Sequence, residues 1–237
     1  MITSYLTIDL ETTGLDPKKD KIIEIGAARV INGEIKETFQ KLINPGRKLT
    51  NQIMKITGLS DIDLRKEPSI SQVMEQFAEF VNKDELPILG HSVLFDYSFL
   101  KRAAINNNSK FEKNGIDTLK IARKFLPELE KRSLEYLCRY YNISHHPHRA
   151  LEDAIATHFL YQKMKEQFYS EENPDSCFLP VTLLYQVKKE GPASKRQIDR
   201  IKQLLVRHKI EPEIDVDMLT RNEANRYVDQ ILATYGR

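Results

Sequence analysis

The sequence predicts an α/β fold: a mixed sheet flanked by helices, followed by a small helical module at the C-terminal end. Three observations carry this expectation. Strand-like runs crowd the chain before Pro45, strands and helices alternate from Pro87 to Met164, and two helix-start signatures recur after Pro180.

Taken in order, Ile2 to Leu10 is an apolar, strand-like run. "KIIEIGAARVINGEIKETFQKLINP" reads as two further strands joined at Asn32-Gly33, a dipeptide that favours the type I′ hairpin turn, so three antiparallel strands are expected at the start. Ser69 then opens a helix with Gln72 as its capping-box partner, and Ile70, Val73, Phe77 and Val81 recur at helical spacing before Pro87 ends the pattern. "PILG" is a short buried strand, "FDYSFLKRAA" a helix, "GIDTL" the start of another strand, and "SLEYLCRYY" a helix begun by Ser133. "RALEDAIATHFLYQKM" closes this part as a helix. Its expected apolar stripe is Leu151, Ile155 and Phe159, with Asp153 on another face beside Ala150, Ala154 and Thr157, small residues that let backbone approach closely.

"SEENPDSCFLP" loses this periodicity and gathers Pro, Asn and Ser, as a linker does. Beyond it, Ser194 with Gln197 and Thr220 with Glu223 form two capping boxes, followed by Ile198, Ile201 and Leu205 in one helix and Ala224, Val228 and Ile231 in the other. The expected organisation is a domain over 1–169, a linker over 170–193 and a helical hairpin over 194–237. A hairpin of that size is marginal as a free-standing unit.

Composition narrows the function classes. At 237 residues and 41% apolar content the chain can bury a sizeable core, while a net charge of +2 is too small for a broad electrostatic nucleic-acid binder. A nucleic-acid role must therefore rest on a local site. Cys138 and Cys177 are far apart and form no CxxC pattern, which argues against a disulfide framework and for a reducing cytoplasm. No segment reaches the roughly 18–20 apolar residues of a membrane span, and the N-terminus lacks the features of a signal peptide, so a cytoplasmic protein is expected.

Three segments carry chemistry. In "IDLETTG", the strand period of two puts Asp9 and Glu11 on one face, where they repel each other. Either they fringe a solvated strand end or a cation neutralises them, and hard divalent ions such as Mg²⁺ and Mn²⁺ prefer carboxylate oxygens. In "GHSVLFDYSFL", Asp96 lies among apolar residues at a helix start, where an acid also complements the helix dipole. In "HPHRALEDA", His148 precedes Asp153 by five residues. His145, His146 and His148 also invite a zinc reading, which the absence of a nearby cysteine weakens.

Together, "DLETTG", "HSVLFDYSFL" and "HRALEDA", in this order, make the sequence resemble the DEDDh 3′-to-5′ exonucleases of the ribonuclease H-like superfamily, above all the proofreading exonucleases of bacterial DNA polymerase III. The resemblance implies a five-stranded mixed sheet flanked by helices, with the first three strands antiparallel. It implies that Asp9, Glu11, Asp96 and Asp153 hold two divalent ions, Mg²⁺ or Mn²⁺, and that His148 is the general base, the five together forming the catalytic set. Two such ions about 4 Å apart stabilise the attacking and leaving oxygens of a phosphoryl displacement, and a neutral imidazole accepts the proton of the attacking water. The expected products are nucleoside 5′-monophosphates released from a DNA 3′ end.

The same carry-over assigns Thr12, Thr13, Gly14, Leu59, His91 and Phe95 to substrate binding, and "LINPGRKLTNQIMKITGLSDIDL" resembles the stretch that receives the 3′-terminal nucleotide. Ser92 departs from the Asn often found after that histidine in the family, a shorter side chain that bears on a substrate contact but removes no metal ligand. The implied partners are a single-stranded or frayed 3′ end and, through residues 194–237, a DNA polymerase or other replication partner, unless that module is a stabilising extension packed on the exonuclease domain. An RNA-trimming exonuclease and a catalytically idle nucleic-acid or polymerase adaptor are the alternatives.

Overall fold

A computed structural model describes residues 2–236. Three long strands open the chain: β1 (Tyr5–Thr12), β2 (Ile22–Ile31) and β3 (Glu34–Leu42). They form an antiparallel meander, and the β2–β3 turn has positive φ at both Asn32 and Gly33, as the type I′ geometry demands. Two short helices follow, α1 (Asn51–Thr57) and α2 (Asp61–Leu64), then α3 (Ile70–Val81) with the expected Ser69–Gln72 capping box. Strand β4 (Ile88–Gly90), helix α4 (Val93–Asn106), strand β5 (Asn114–Asp117), helices α5 (Thr118–Phe125) and α6 (Leu134–Tyr140), and the long α7 (Ala150–Phe168) continue the alternation.

The sheet runs β3-β2-β1-β4-β5-β6, with β4 and β5 parallel to β1. Five of these strands are the ones expected. The sixth, β6 (Val181–Thr182), pairs antiparallel with β5 and comes from the segment read as a linker. That segment is packed on the body: Phe178 is buried with Tyr161 and Phe125, and Leu183 is buried against the opposite core. Its sequence hides this because single apolar anchors separated by polar residues show no period.

Each face of the sheet has its own core. Leu6, Ile8, Leu10, Ile25, Ala27 and Ile88 pack against α3 and α4, whereas Tyr5, Val30 and Leu89 pack against α5, α6 and α7. The apolar stripe expected on α7 is reversed. Phe159 is 44% exposed and Leu151 and Ile155 are only half-buried, while Ala150, Asp153, Ala154 and Thr157 are buried. The reason is steric: a Cβ on Gly26 of β2 would lie 2.1 Å from Ala150 C and Leu151 N, so α7 rests backbone to backbone on the strand. Close approach decides the face at the start of α7, and the bulky Leu160, Tyr161 and Met164 enter the core only further along the helix.

Helices α8 (Lys195–His208) and α9 (Arg221–Tyr235) have both expected capping boxes and share a separate small core of Ile201, Leu204, Leu205, Val216, Leu219, Ala224 and Ile231. Among the described residues no helix is long and apolar enough to cross a membrane.

Candidate active site

Asp9 and Glu11 stand on the α7 face of β1, opposite Gly26 and Glu24 of β2. The close approach at Gly26 brings the first turn of α7 over them, and with it Asp153. Carboxylate oxygens of Asp9, Glu11 and Asp153 all lie within 4.8 Å of one another. Asp153 is 7% exposed; its Oδ2 accepts the His148 backbone N–H at 2.9 Å and its Oδ1 is hydrogen-bonded to His145 Nε2.

Asp96 joins the site from the other side. It occupies the first turn of α4 at 3% exposure, and it falls outside the three-acid group at metal-sharing distance. Strand β4 pairs with β1 only as far as Thr7–Leu89, and the Asp96 charge acts on those of both β1 acids, Asp9 and Glu11.

The electrostatics show what this packing costs. Burial first, and then the charges of Asp96, Asp153, Glu11 and Glu24, push the Asp9 carboxyl well above its ordinary range. Asp96 is raised in the same direction, chiefly by burial. Glu11 is pushed up to about 8 by burial and by Asp153 and Glu24, with Arg149 opposing. Acids clustered this way favour a bound cation, and an all-oxygen donor set suits a hard divalent ion. The residues present fit the implied metal.

Two residues that sequence reading missed, Glu24 and Arg149, hold the frame. Glu24 is fully buried across from Glu11. It accepts Arg149 Nη2 at 3.1 Å, Gln40 Nε2 at 2.7 Å and the Ala150 N–H at 3.3 Å, which places a carboxylate at the start of α7, where the helix dipole welcomes it. The signal was an acid inside the apolar run "IIEIGAA", two residues before Gly26.

The histidines divide their roles. His145 is pushed up to about 9, first by its hydrogen bond to Asp153, and so stays protonated at neutral pH. His148 adopts positive φ, is exposed, and its ring makes no hydrogen bond among the described residues. The zinc reading gains nothing, since the metal-competent group contains none of the three histidines.

Of the residues assigned to substrate, Thr12 ends β1 and Thr13 and Gly14 bend the chain away from it. Thr12 Oγ1 donates to Gly14 O at 2.6 Å, and a Cβ on Gly14 would strike the Asp20 carboxylate at 2.5 Å. Phe95 is half-buried with its ring 5.0 Å from that of Phe99. Leu59 is 7% exposed and packs with Ile23, Leu49 and Leu64. His91 Nδ1 meets Thr118 Oγ1 at 2.9 Å and Nε2 meets Arg132 O at 2.8 Å, which leaves neither nitrogen free. Asp117 caps α5 by accepting the Leu119 N–H and also receives the Ser92 N–H.

Half-buried and buried carboxylates converging from a central strand and two helices over a mixed sheet form a donor set of the kind phosphodiester hydrolases use. Comparison with known proteins agrees. The exonuclease family (RNase T) matches residues 6–161, and the chain belongs to it, within the DEDD 3′-to-5′ exonucleases related to polymerase proofreading domains. It is 35% identical over 168 residues to the DNA polymerase III subunit epsilon of Aquifex aeolicus, covering 70% of this chain and 82% of that protein. It is 34% identical over 168 residues to the PolC-type DNA polymerase III of Clostridium perfringens, where the match covers 69% of this chain and 12% of the polymerase. Among solved structures, exonuclease X in complex with 5′ overhanging duplex DNA superposes with a TM-score of 0.59 at 25% identity, over 73% of this chain and 99% of that one. The E. coli exonuclease I–ssDNA complex in its zinc-bound form shares the fold with a TM-score of 0.64 at 20% identity, over 70% of this chain and 41% of that one.

Proposed function

We propose that this chain hydrolyses DNA one nucleotide at a time from its 3′ end, releasing nucleoside 5′-monophosphates in proofreading or repair. The observation that carries the reading is the convergence of Asp9, Glu11 and Asp153 to shared coordination distance, with an exposed, uncommitted His148 at the mouth. Asp9, Glu11 and Asp153, with Asp96 beside them, would hold Mg²⁺ or Mn²⁺; when bound, these ions supply an activated water and charge stabilisation for the phosphoryl displacement. His148 takes the proton of the attacking water. His145 is unsuited to that step because its Nε2 is tied to Asp153. Thr12, Thr13 and Gly14 present backbone to the terminal nucleotide, and Phe95, with the small exposed part of Leu59, offers apolar surface to its base.

In this reading residues 1–169 are the exonuclease domain, joined through 170–193 to the 194–237 module, for which a replication polymerase is the candidate partner. A cytoplasmic location accords with the two free cysteines.

The experiment offers 3′-labelled DNA and RNA oligomers with Mg²⁺ or Mn²⁺ and measures mononucleotide release. Metal-dependent release from DNA is expected; preferential release from RNA would replace the substrate, and no release from either would leave an adaptor. His148→Ala is expected to lower kcat by about 10²- to 10³-fold, in the range of a lost general base, with little change in Tm because the side chain is exposed. An unchanged kcat would remove His148 from the mechanism.

A further inference from the structure

The C-terminal module is tied to the exonuclease body at two loops close to the acidic cluster. The loop from Thr13 to Lys21 joins β1 to β2 and begins two residues after Glu11; Thr13 N–H donates to Lys21 O at 2.9 Å, and Lys21 N–H to Thr13 Oγ1 at 3.0 Å. The loop from Ile43 to Thr50 joins β3 to α1. Both loops meet one carboxylate of the module. Glu223, in the first turn of α9 and 8% exposed, receives Lys21 Nζ at 2.7 Å and Arg47 Nη2 at 3.2 Å on the same oxygen. Arg47 Nη1 continues to Lys19 O at 3.0 Å.

Backbone ties run alongside: Asp215 N–H donates to Gly46 O at 2.6 Å and Lys48 N–H to Glu213 O at 3.0 Å. Between body and module lies a cavity of about 110 Å³ lined by Lys18, Asp20, Asn44 and Met218, among others. The loops are therefore held by point contacts more than by continuous packing.

The helix does not require a charge at 223. Its capping box needs only a side-chain acceptor at the third helical position, and Gln197 fills the same position on α8. Burial alone would raise the Glu223 carboxyl, yet Lys21 and the cap hydrogen bonds hold it below its ordinary range. The charge serves the two cations.

We propose that Glu223 is a positioning residue of the exonuclease: acting through Lys21 and Arg47, it fixes the two loops in the arrangement that receives the substrate's 3′ end, so the module is part of the substrate site. The proposal rests on the exonuclease reading above.

The test uses the full chain and compares wild type, Glu223→Gln, Lys21→Met and the double variant, by KM and kcat for mononucleotide release from 3′-labelled single-stranded DNA with Mg²⁺. Glu223→Gln keeps the cap and removes the charge. Each single variant is expected to raise KM about fivefold or more, the worth of an ion pair near 1 kcal/mol, with kcat within about twofold. The double variant should be no worse than the poorer single, because Glu223→Gln already removes the charge that Lys21 pairs with. Arg102→Gln, which cuts the Arg102–Glu190 pair and touches α9 only through the Glu190–Thr220 hydrogen bond, should raise KM less than Glu223→Gln does.

Unchanged KM in Glu223→Gln, additive effects in the double variant, or an equal KM rise in Arg102→Gln would each overturn the proposal. If Glu223→Gln does not fold, Lys21→Met decides alone, and an unchanged KM there overturns it. A wild type that releases no mononucleotide ends the exonuclease reading and this inference together, whereas an active wild type with an unaffected Glu223→Gln ends only the inference.

Discussion

Replacing Asp9 with Asn and Glu11 with Gln is expected to lower mononucleotide release by about 10³-fold or more while raising the Tm of the protein in chelator. The activity loss follows from removing two of three oxygen donors at shared distance. Lost metal stabilisation is worth several kcal/mol, and each 1.36 kcal/mol is tenfold in rate, which gives about three decades. The gain in stability has the same origin, because both side chains are half-buried beside other acids and held above their ordinary range. Relieving that repulsion should add about 2–4 °C of Tm per kcal/mol in a chain of this size.

The pH dependence follows in sign. Glu11 ordinarily titrates at 4.5 and is raised to about 8, so the metal-free folded state holds its proton more tightly than the unfolded chain does. Its contribution to stability is fully present below about 4.5 and is lost as pH rises toward 8. Wild type in chelator should therefore lose Tm between pH 5 and pH 8 relative to the double variant, and Mg²⁺ at pH 8 should restore it in wild type alone. Equal pH profiles for the two proteins, measured by calorimetry, would show that the acids do not repel as packed.

Local signals carried much of this molecule into view at the level of sequence. The Asn32-Gly33 turn set the β2–β3 register, and Ser69–Gln72, Ser194–Gln197 and Thr220–Glu223 each marked a helix start, because each device acts within four residues. Helices α1 and α2 had comparable signals in Thr50, Gly58 and the Ser60–Asp63 box, but four- and seven-residue helices show too little period to be read. The acids were legible as types at suggestive positions, and the family motifs joined them. What no local pattern disclosed was the reversed face of α7, because it depends on Gly26, more than a hundred residues earlier in the chain. Glu24 and the ion pairs of Glu223 were hidden for the same reason: a buried acid is understood only when its cations, Arg149 in one case and Lys21 with Arg47 in the other, arrive from distant segments.

Gly26→Ala should be the most damaging single methyl in the protein. The added Cβ would sit 2.1 Å from Ala150 C and Leu151 N and 2.4 Å from Ala150 O, all backbone, so no rotamer change relieves the clash and α7 must move off the sheet. Overpacking of this kind costs about 3 kcal/mol or more, which in a chain of this length lowers Tm by roughly 6–12 °C. Asp153 lies three residues beyond Ala150 on the same helix and would be carried away from Asp9 and Glu11. The folded fraction should then lose both nuclease activity and the Tm increase on adding Mg²⁺.

Gly33→Ala separates this from a general glycine effect. Gly33 has φ of +82° and its nearest neighbour, Gln162 Nε2, is 3.5 Å from an added Cβ, so that change costs only the left-handed backbone, about 1–2 kcal/mol, far from the acids. It should lower Tm and leave kcat and metal stabilisation intact. If Gly26→Ala behaved like Gly33→Ala, with stability reduced but full activity per folded molecule, the contact between β2 and α7 would not be what aligns Asp153 with the strand acids. The acidic cluster would then have to be assembled by the His145 and His148 contacts at the entrance to α7, and His145→Ala would become the more damaging change.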